Sequence, residues 1–196
     1  LSDLIAGKSV EIPTFNFALG KKEWKGKTIQ LDDKSVMVIE GIHCLNPRLT
    51  EQVPDDVKFK IFVSALTSIS IDRQNPIPTT DNRLIRRVVR DYNYRGYSAQ
   101  ETLSRWSSVR SGEERNIFPY EENADVVFNS SMLYDIPLLK YYAEPLLYGI
   151  TEASPAYEKA HQLIEFLTHI NALKPAEIAA IPPTSIMREF IGGQTL

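Results

Sequence analysis

The arginines of this chain are concentrated in one segment that contains no lysine. Eight of the eleven arginines lie between Arg83 and Arg115. A general requirement for positive charge would mix lysine with arginine, whereas arginine alone favours forked, bidentate contacts to carboxylate or phosphate groups. The segment is therefore the strongest indication of function in the sequence, and the chemistry that it indicates is recognition of an anion.

Helical geometry sorts these arginines onto one face. At about 100° per residue, a helix from 80 to 94 places arginines on one arc and apolar or aromatic side chains on the opposite arc. The two sets are Arg83, Arg86, Arg87 and Arg90, and Leu84, Ile85, Val88, Val89 and Tyr92. Gly96 is predicted to end this helix, and Arg95 lies at the junction, where its side chain can turn into a cleft.

The arginine face has two interpretations. In the first it is a solvated surface whose charges pair with Asp81, Asp91 and Glu101. In the second it binds a polyanion such as a nucleotide phosphate chain, because like charges at helical neighbour spacing repel each other unless an anion is near.

Contact with DNA is a third interpretation of the same segment. The arginine helix, the turn at Gly96 and the helical pattern from Ser98 resemble a helix-turn-helix. A net charge of −3 and patterns typical of buried parallel strands both disfavour this interpretation.

The patterns around the arginine helix predict an α/β fold. Three apolar runs are typical of strands buried on both faces of a parallel sheet, at Ser35–Ile39, Phe59–Val63 and Ala124–Phe128. Helical patterns cover 45–51, 80–94, 98–115, 132–147 and 156–170. Ser98 and Glu101 are predicted to form a capping box at the start of the third helix. The tail from Pro175 is predicted to be a small helical appendage. Strands that alternate with helices imply a sheet with right-handed crossovers.

Glu40 follows the first apolar run, at the carboxyl end of a predicted central strand. Ligands of open α/β sheets bind at that edge. A carboxylate there can hold Mg²⁺, directly or through water, beside a phosphate chain. A turn carboxylate before Gly41 is the simpler alternative.

Gly7-Lys8-Ser9 has the ending of a P-loop without the rest of the motif. The full pattern requires a glycine five residues before Gly7 and a preceding buried strand, and position 2 is serine. We interpret Gly7 instead as the end of a helix whose last turns are Leu1 to Ala6. A native chain is not expected to start there, so we expect an N-terminally incomplete domain.

Bulk composition is ordinary for a globular chain of 196 residues, with a pI of about 5.7. The single cysteine, Cys44, excludes an intrachain disulfide and fits a reducing compartment. No run approaches the roughly 18 apolar residues of a membrane span, and no signal peptide is present. These features predict a cytoplasmic protein without a membrane partner, and they leave a homo-oligomer open.

Four segments, in this order, resemble the uridine kinase and phosphoribulokinase family of P-loop kinases. They match a Pro-x-Tyr-x-Phe segment, an apolar strand ending in Glu-Gly-Ile, a lid helix with its Arg-Gly end, and a late strand. The segments are Val10–Phe17, Val36–Ile42, Arg83–Asp91 with Arg95–Gly96, and Ala124–Val127. The tail resembles a longer bacterial variant, in which N-terminal domains similar to those of threonyl-tRNA synthetase precede the kinase domain.

The resemblance implies a P-loop NTPase-type parallel sheet flanked by helices and N-terminally incomplete. Residues 1–150 would form the C-terminal part of the kinase domain, with a lid at about 79–116, and residues 151–196 a helical extension. The implied activity is transfer of the γ-phosphate of ATP, with Mg²⁺, to a nucleoside 5′-hydroxyl. The family's P-loop and general-base aspartate lie in its N-terminal portion, so the chain in isolation is not expected to transfer phosphate efficiently.

The resemblance also implies roles for individual residues. Arg87, Arg90 and Arg95 match lid arginines that contact the phosphates in the closed state and stabilise charge on the transferring phosphoryl group. Glu40 matches the Mg²⁺-associated acid. The other expected contacts are to the nucleotide cofactor, from Arg83, Arg86 and Asn129, and to the acceptor, from Phe15, Tyr97 and Arg105.

Departures from the family pattern all fall on the acceptor side. Phe15 replaces a tyrosine, a histidine is missing near Gly20, Tyr97 replaces an arginine and Arg105 replaces a glutamine. Phosphate chemistry is therefore better supported than uridine as the acceptor. Two alternatives remain: a phosphorylated sugar bound by Arg105 and Arg110, as in phosphoribulokinases, and a nucleotide-sensing or RNA-associated module without turnover.

Overall fold

The computed structural model describes residues 1–16 and 19–195, which form two compact units. Residues 1–62 with 110–127 form the first unit, and residues 63–109 with the chain from 128 onward form the second.

The first unit begins with a single helical turn and two small antiparallel strand pairs. Helix α1 is Ser2–Ile5, and the backbone at Gly7 has φ +73°, which confirms that a helix ends there. Strand β1 (Val10–Glu11) pairs with β4 (Thr28–Ile29), and β2 (Thr14–Asn16) pairs with β3 (Lys21–Glu23). Short 3₁₀ turns follow at Pro47–Leu49, Asp55–Val57 and Phe118–Asn123.

Two of the three predicted strands form a parallel pair. Strand β5 is Ile61–Ser64 and strand β6 is Val126–Asn129. Backbone N–H groups of β6 and its flanks donate to β5 and its flank in rising order, Asp125 to Lys60 (2.9 Å) and Ser130 to Ser64 (2.8 Å). With the helices, this modest parallel sheet confirms the predicted α/β class.

The prediction of a buried strand at Ser35–Ile39 is wrong. Residues 35–40 have no regular secondary structure, and Val36 and Val38 are 89% and 87% exposed. A strand that is buried on both faces needs a hydrogen-bonded neighbour and a covering layer. None of the strand pairs among the described residues includes this segment, so its backbone has no neighbouring strand there. The predicted helix at 45–51 is likewise reduced to the 3₁₀ turn at Pro47–Leu49.

The second unit is built around the arginine helix, α2 (Thr79–Arg90). Its apolar arc is buried to 1% exposure or less, as predicted, and comprises Leu84, Ile85, Val88 and Val89. Helix α5 (Asp135–Tyr148) packs against α2 and against α6 (Tyr157–Thr168). Since a fully buried aliphatic side chain contributes about 1.5–3 kcal/mol, this shared core is what fixes the arginine helix in place.

The arginine helix ends in a wider turn. Residues Asp91–Arg95 form one turn of π-helix, and Gly96 then adopts φ +70°, which confirms the predicted end. The wider turn changes the angle between successive side chains, so Tyr92 is 54% exposed and its assignment to the packing face is wrong.

The helical pattern after Gly96 forms two helices, α3 (Ala99–Ser104) and α4 (Trp106–Asn116). The predicted capping box at the start of α3 is confirmed, because Ser98 and Glu101 exchange hydrogen bonds between side chain and backbone.

The C-terminal tail contains two short helices, α7 (Pro175–Ala179) and α8 (Arg188–Ile191), and α8 packs against α2. The proposed domain boundary after residue 150 stays a prediction. Among the described residues, none of the helices combines the length and apolar character needed to cross a membrane.

Candidate functional site on the arginine helix

The buried carboxylate of Asp91 holds two of the predicted lid arginines. Its Oδ2 atom lies 3.1 Å from Nε of Arg87, and its Oδ1 atom accepts a hydrogen bond of 3.1 Å from Nη1 of Arg95. The N–H of Arg87 is not aligned with the carboxylate, so that contact is an ion pair rather than a hydrogen bond. Asp91 is 2% exposed, whereas the two arginine side chains are 28% and 29% exposed. Both arginine side chains are therefore partly exposed while one buried carboxylate holds them.

Arg90, the third predicted lid arginine, is paired with the C-terminal tail. Its Nη1 atom donates to Oε1 of Glu189 at 2.9 Å, and Glu189 is the more exposed partner. The ring of Phe190 lies under the guanidinium groups of Arg90 and Arg86, at 5.9 and 5.3 Å from the ring centre. The tail thus occupies the place that an external anion would take at Arg90.

Arg86 is part of the core. It forms a buried ion pair with Asp135, the first residue of α5, and donates to the backbone carbonyl of Ser130 at 2.8 Å. The expectation that four arginines share an exposed face is therefore wrong for Arg86, which is 7% exposed. The cause is tertiary: a carboxylate at the N-terminus of a packed helix supplies the charge that Arg86 needs.

Two other residues expected on the cofactor side are Arg83 and Asn129. Arg83 is half-buried on α2. The side-chain amide of Asn129 bonds both the N–H and the carbonyl of Leu66 at 2.9 Å, and its oxygen also accepts from the N–H of Ser131. Asn129 therefore ties the end of β6 to the chain that leaves β5.

Two of the three residues expected on the acceptor side are in contact. The guanidinium carbon of Arg105 lies 4.5 Å from the ring centre of Tyr97, so the two side chains form one cationic, aromatic surface. Tyr97 follows directly on Arg95 and Gly96, at the end of the arginine helix. Phe15 lies on β2 in the other compact unit, opposite Lys22 and 48% exposed.

Glu40 is exposed and precedes Gly41 in a turn of the first unit. Within the ranges 1–16 and 19–195, no group of three or more acidic, histidine or cysteine side chains could hold a metal ion. A single carboxylate still fits Mg²⁺, which keeps water and substrate phosphates among its ligands. Burial, with a smaller effect of the Glu40 charge, raises the pKa of the Cys44 thiol, in keeping with an unreactive cysteine.

The carboxylate partners of the arginines were only partly predictable. Asp91 is confirmed as a partner, but Asp81 pairs with Lys159 at 3.0 Å, and Glu101 caps α3. The unpredicted partners, Asp135 and Glu189, lie 49 and 99 residues from the arginines that they bind. The sequence contains a weak signal for Asp135, because it lies in the first turn of a predicted helix. The helix dipole stabilises a negative charge there, which an arginine can bind.

Comparison with known proteins identifies the class to which this chain belongs. Residues 1–137 match the model of the Phosphoribulokinase / Uridine kinase family, and the chain is a member of that family. The arginine helix and the parallel strands lie within the matched residues, and the α/β fold is of the P-loop type of this family.

The relatives of this chain include bacterial uridine kinases. The chain is 28% identical over 145 residues to uridine kinase of Macrococcus caseolyticus, covering 71% of this chain and 62% of that protein. It is 30% identical over 128 residues to uridine kinases of Ureaplasma parvum and Staphylococcus aureus, covering 64–65% of this chain and 53% of each relative. The chain therefore spans little more than half the length of these relatives. No solved structure matches it.

Proposed function

We propose that this chain is part of an ATP-dependent phosphotransferase that moves the γ-phosphate of ATP to a hydroxyl of a nucleoside. The observation that carries the proposal is the pair Arg87 and Arg95, held on the buried carboxylate of Asp91 in a segment that resembles the lid of this kinase family. Phosphoryl transfer depends mainly on positioning and on stabilising negative charge, and anchored, partly exposed arginine side chains serve both purposes.

Each arginine of the helix has a distinct proposed role. Arg87 and Arg95 contact the phosphates, and Arg90 joins them by exchanging the carboxylate of Glu189 for a phosphate oxygen. That exchange costs little, because exposed ion pairs contribute at most about 1 kcal/mol. Arg86, buried against Asp135, anchors the helix instead of contacting phosphate directly. Arg83 and Asn129 stay predictions on the cofactor side.

ATP would be bound as its Mg²⁺ complex, and the metal would neutralise charge on the transferring phosphoryl group. Glu40 is the proposed Mg²⁺-associated acid of this chain. Its exposure leaves both oxygens accessible to a hydrated ion.

The contact between Tyr97 and Arg105 favours a nucleoside acceptor over a sugar phosphate. An aromatic ring stacked with a guanidinium group offers a flat surface on which a base can stack. The sugar-phosphate alternative needs Arg110 as well, but Arg110 already donates to Glu113 at 2.8 Å and lies over Phe118. Phe15, an exposed aromatic side chain, stays a prediction on the acceptor side.

Binding of Mg²⁺-ATP to the chain tests the phosphate site directly. Arg95→Ala is expected to weaken binding about tenfold, because a charge-assisted hydrogen bond contributes about 1.5–3 kcal/mol. Arg115→Ala is the matched control: it removes the same charge from the same segment, but Arg115 is exposed and bonds only its own helix at Ser111 in the contacts described. Equal effects of the two variants would reject the assignment of Arg95 to the phosphates.

Turnover requires a P-loop, which is not encoded in these 196 residues. The assay therefore uses the chain extended N-terminally through a P-loop, with a panel of nucleosides and phosphorylated sugars. Phosphorylation of a nucleoside is the expected result, and Arg90→Ala is expected to reduce it sharply without loss of folding. Phosphorylation of a sugar phosphate alone would favour the phosphoribulokinase-like alternative. ATP binding without an acceptor in the panel would favour a sensing module.

A further inference from the structure

Asp91 is one of the few charged side chains in the core of the second unit, and it lies where the α-helix changes into a π-helical turn. Its carboxylate has three partners in the described contacts. Two are the guanidinium groups of Arg87 and Arg95, and the third is the hydroxyl of Thr102 on α3, which donates to Oδ2 at 3.4 Å. Thr102 is itself 2% exposed, so the carboxylate is fixed from a second helix.

The positions of the two arginines explain why they need this carboxylate. Arg87 lies four residues before Asp91 and Arg95 four residues after it, so both side chains point towards the same place on the helix. Two like charges brought together in this way repel each other, and long side chains would move apart into other rotamers. A buried negative charge between them offsets the repulsion and limits their movement.

The backbone of Asp91 holds the same junction. Its carbonyl oxygen accepts a hydrogen bond of 3.2 Å from the N–H of Tyr97, which closes the turn made by the π-helix and Gly96. Asp91 therefore holds Arg87 and Arg95 through its side chain. Through its backbone it holds Tyr97, which is expected to contact the phosphate-accepting substrate. Single π-helical turns within α-helices are frequent at functional sites.

We propose that Asp91 is a positioning residue, which holds Arg87 and Arg95 as a preorganised pair for one phosphate group of the substrate; this inference rests on the proposed function. The gain comes from preorganisation, because a pair that is already in place loses little freedom when the anion binds and aims its charge where it is needed. Asp91 does not contact the phosphate itself.

The proposal predicts a change of affinity opposite in sign to that expected from charge alone. Asp91→Asn removes a negative charge beside two arginines, and simple electrostatic attraction would then increase affinity for an anion. If Asp91 is a positioning residue, affinity for Mg²⁺-ATP and for inorganic tripolyphosphate instead falls about tenfold, the size expected for loss of one well-placed charge-assisted contact. Isothermal titration calorimetry of the full chain at constant ionic strength measures both ligands.

Asp81→Asn is the matched control. It removes the same charge from the same helix, but Asp81 pairs with Lys159 rather than with a lid arginine. Its affinity for tripolyphosphate should stay equal to that of the unchanged chain or rise slightly. A fall in affinity equal to that of Asp91→Asn would overturn the proposal, because the effect would then be general to carboxylates of the helix.

A second variant guards against loss of folding in Asp91→Asn. Thr102→Val keeps shape and charge while removing the hydroxyl that fixes the Asp91 carboxylate. It is expected to lower tripolyphosphate affinity about two- to fivefold, less than Asp91→Asn, because it loosens the carboxylate without removing its charge. The double variant Asp91→Asn with Arg95→Ala should lose less affinity than the sum of the two single losses, because residues that act as a unit have non-additive effects, while Arg87 still depends on the carboxylate.

The results separate this proposal from the proposed function. If Arg87→Ala and Arg95→Ala weaken binding but Asp91→Asn and Thr102→Val do not, the positioning role is rejected and the phosphate site stands. If none of the four variants changes affinity for either ligand, the phosphate site itself is rejected, and the positioning role with it.

Discussion

The arginine helix and the segment Ser35–Ile39 are both rich in apolar residues, yet the structure treats them in opposite ways. Helix α2 buries Leu84 and Ile85 completely, whereas Val36 and Val38 are almost fully exposed. A helix satisfies its own backbone hydrogen bonds and needs only a packing surface, which α5 supplies. A strand needs the backbone of a neighbour as well, and the described residues supply none to this segment. An apolar pattern therefore predicts burial only where its partner is available.

The largest expected effect concerns the buried ion pair between Arg86 and Asp135 in the second unit. Asp135→Ala leaves the guanidinium group of Arg86 buried without its counter-charge, and breaking a buried pair in this way costs about 3–5 kcal/mol. Urea unfolding of the chain measures the loss. The double variant Asp135→Leu with Arg86→Met, which removes both charges, should recover most of it. A loss below about 1 kcal/mol for Asp135→Ala would show that water reaches Arg86.

The next largest effect comes from the apolar core of the same region. Leu139→Ala on α5, a position with 0% exposure, should lower the free energy of unfolding by about 3 kcal/mol through lost burial and the cavity left behind. Leu133→Ala is the control, because Leu133 is 74% exposed and its truncation should cost no more than about 0.5 kcal/mol. Similar losses for the two variants would contradict the packing described for α5.

Local signals were sufficient for much of the helical region. The apolar arc of α2, the stop at Gly96 and the capping box at Ser98 all follow from residues within a few positions of one another, and all three are confirmed. The change to a π-helical turn was not predictable, because no single residue type specifies it, and so Tyr92 was placed on the wrong face. The position of an element in sequence is thus easier to predict than the direction of each side chain.

The candidate site was predictable in its arginines but not in their partners. The segment 83–115 and the Asp91 contacts follow from helical spacing, since Arg87, Asp91 and Arg95 are four residues apart. The contacts of Arg86 and Arg90 depend on Asp135 and Glu189, which only the tertiary fold brings near. Burial of Arg86 could not be inferred from an amphipathic pattern, which assigns every charge to solvent.

A smaller effect is expected at the capping box of α3. Ser98→Ala removes the hydroxyl that accepts from the backbone N–H of Glu101 and should cost about 1 kcal/mol in urea unfolding. Ser98→Gly is the matched control, because glycine at this position lowers the free energy of unfolding by only a few tenths of a kcal/mol. Equal stability of the unchanged chain and Ser98→Ala would show that the cap contributes nothing.

The capping box is also expected to make the stability of the chain depend on pH. Hydrogen bonds from Ser98, the backbone N–H first, lower the pKa of Glu101 below its ordinary value. Its contribution to stability is therefore present above the pKa of the unfolded chain and is lost as the pH falls through the lowered pKa. The stability difference between the unchanged chain and Glu101→Gln should shrink over that acidic range; a constant difference would contradict the pairing.

The smallest effect is expected where the sequence pattern was least reliable. Val36→Ser and Val38→Ser change side chains that are almost fully exposed, so each should alter the free energy of unfolding by no more than about 0.5 kcal/mol. Val88→Ser, which makes the same change at 1% exposure on α2, should cost several times as much and serves as the control. If Val38→Ser instead costs as much as Val88→Ser, the segment is buried in solution. The apolar run would then act as the strand that its pattern predicts, and the exposure described for Val36 and Val38 would be contradicted.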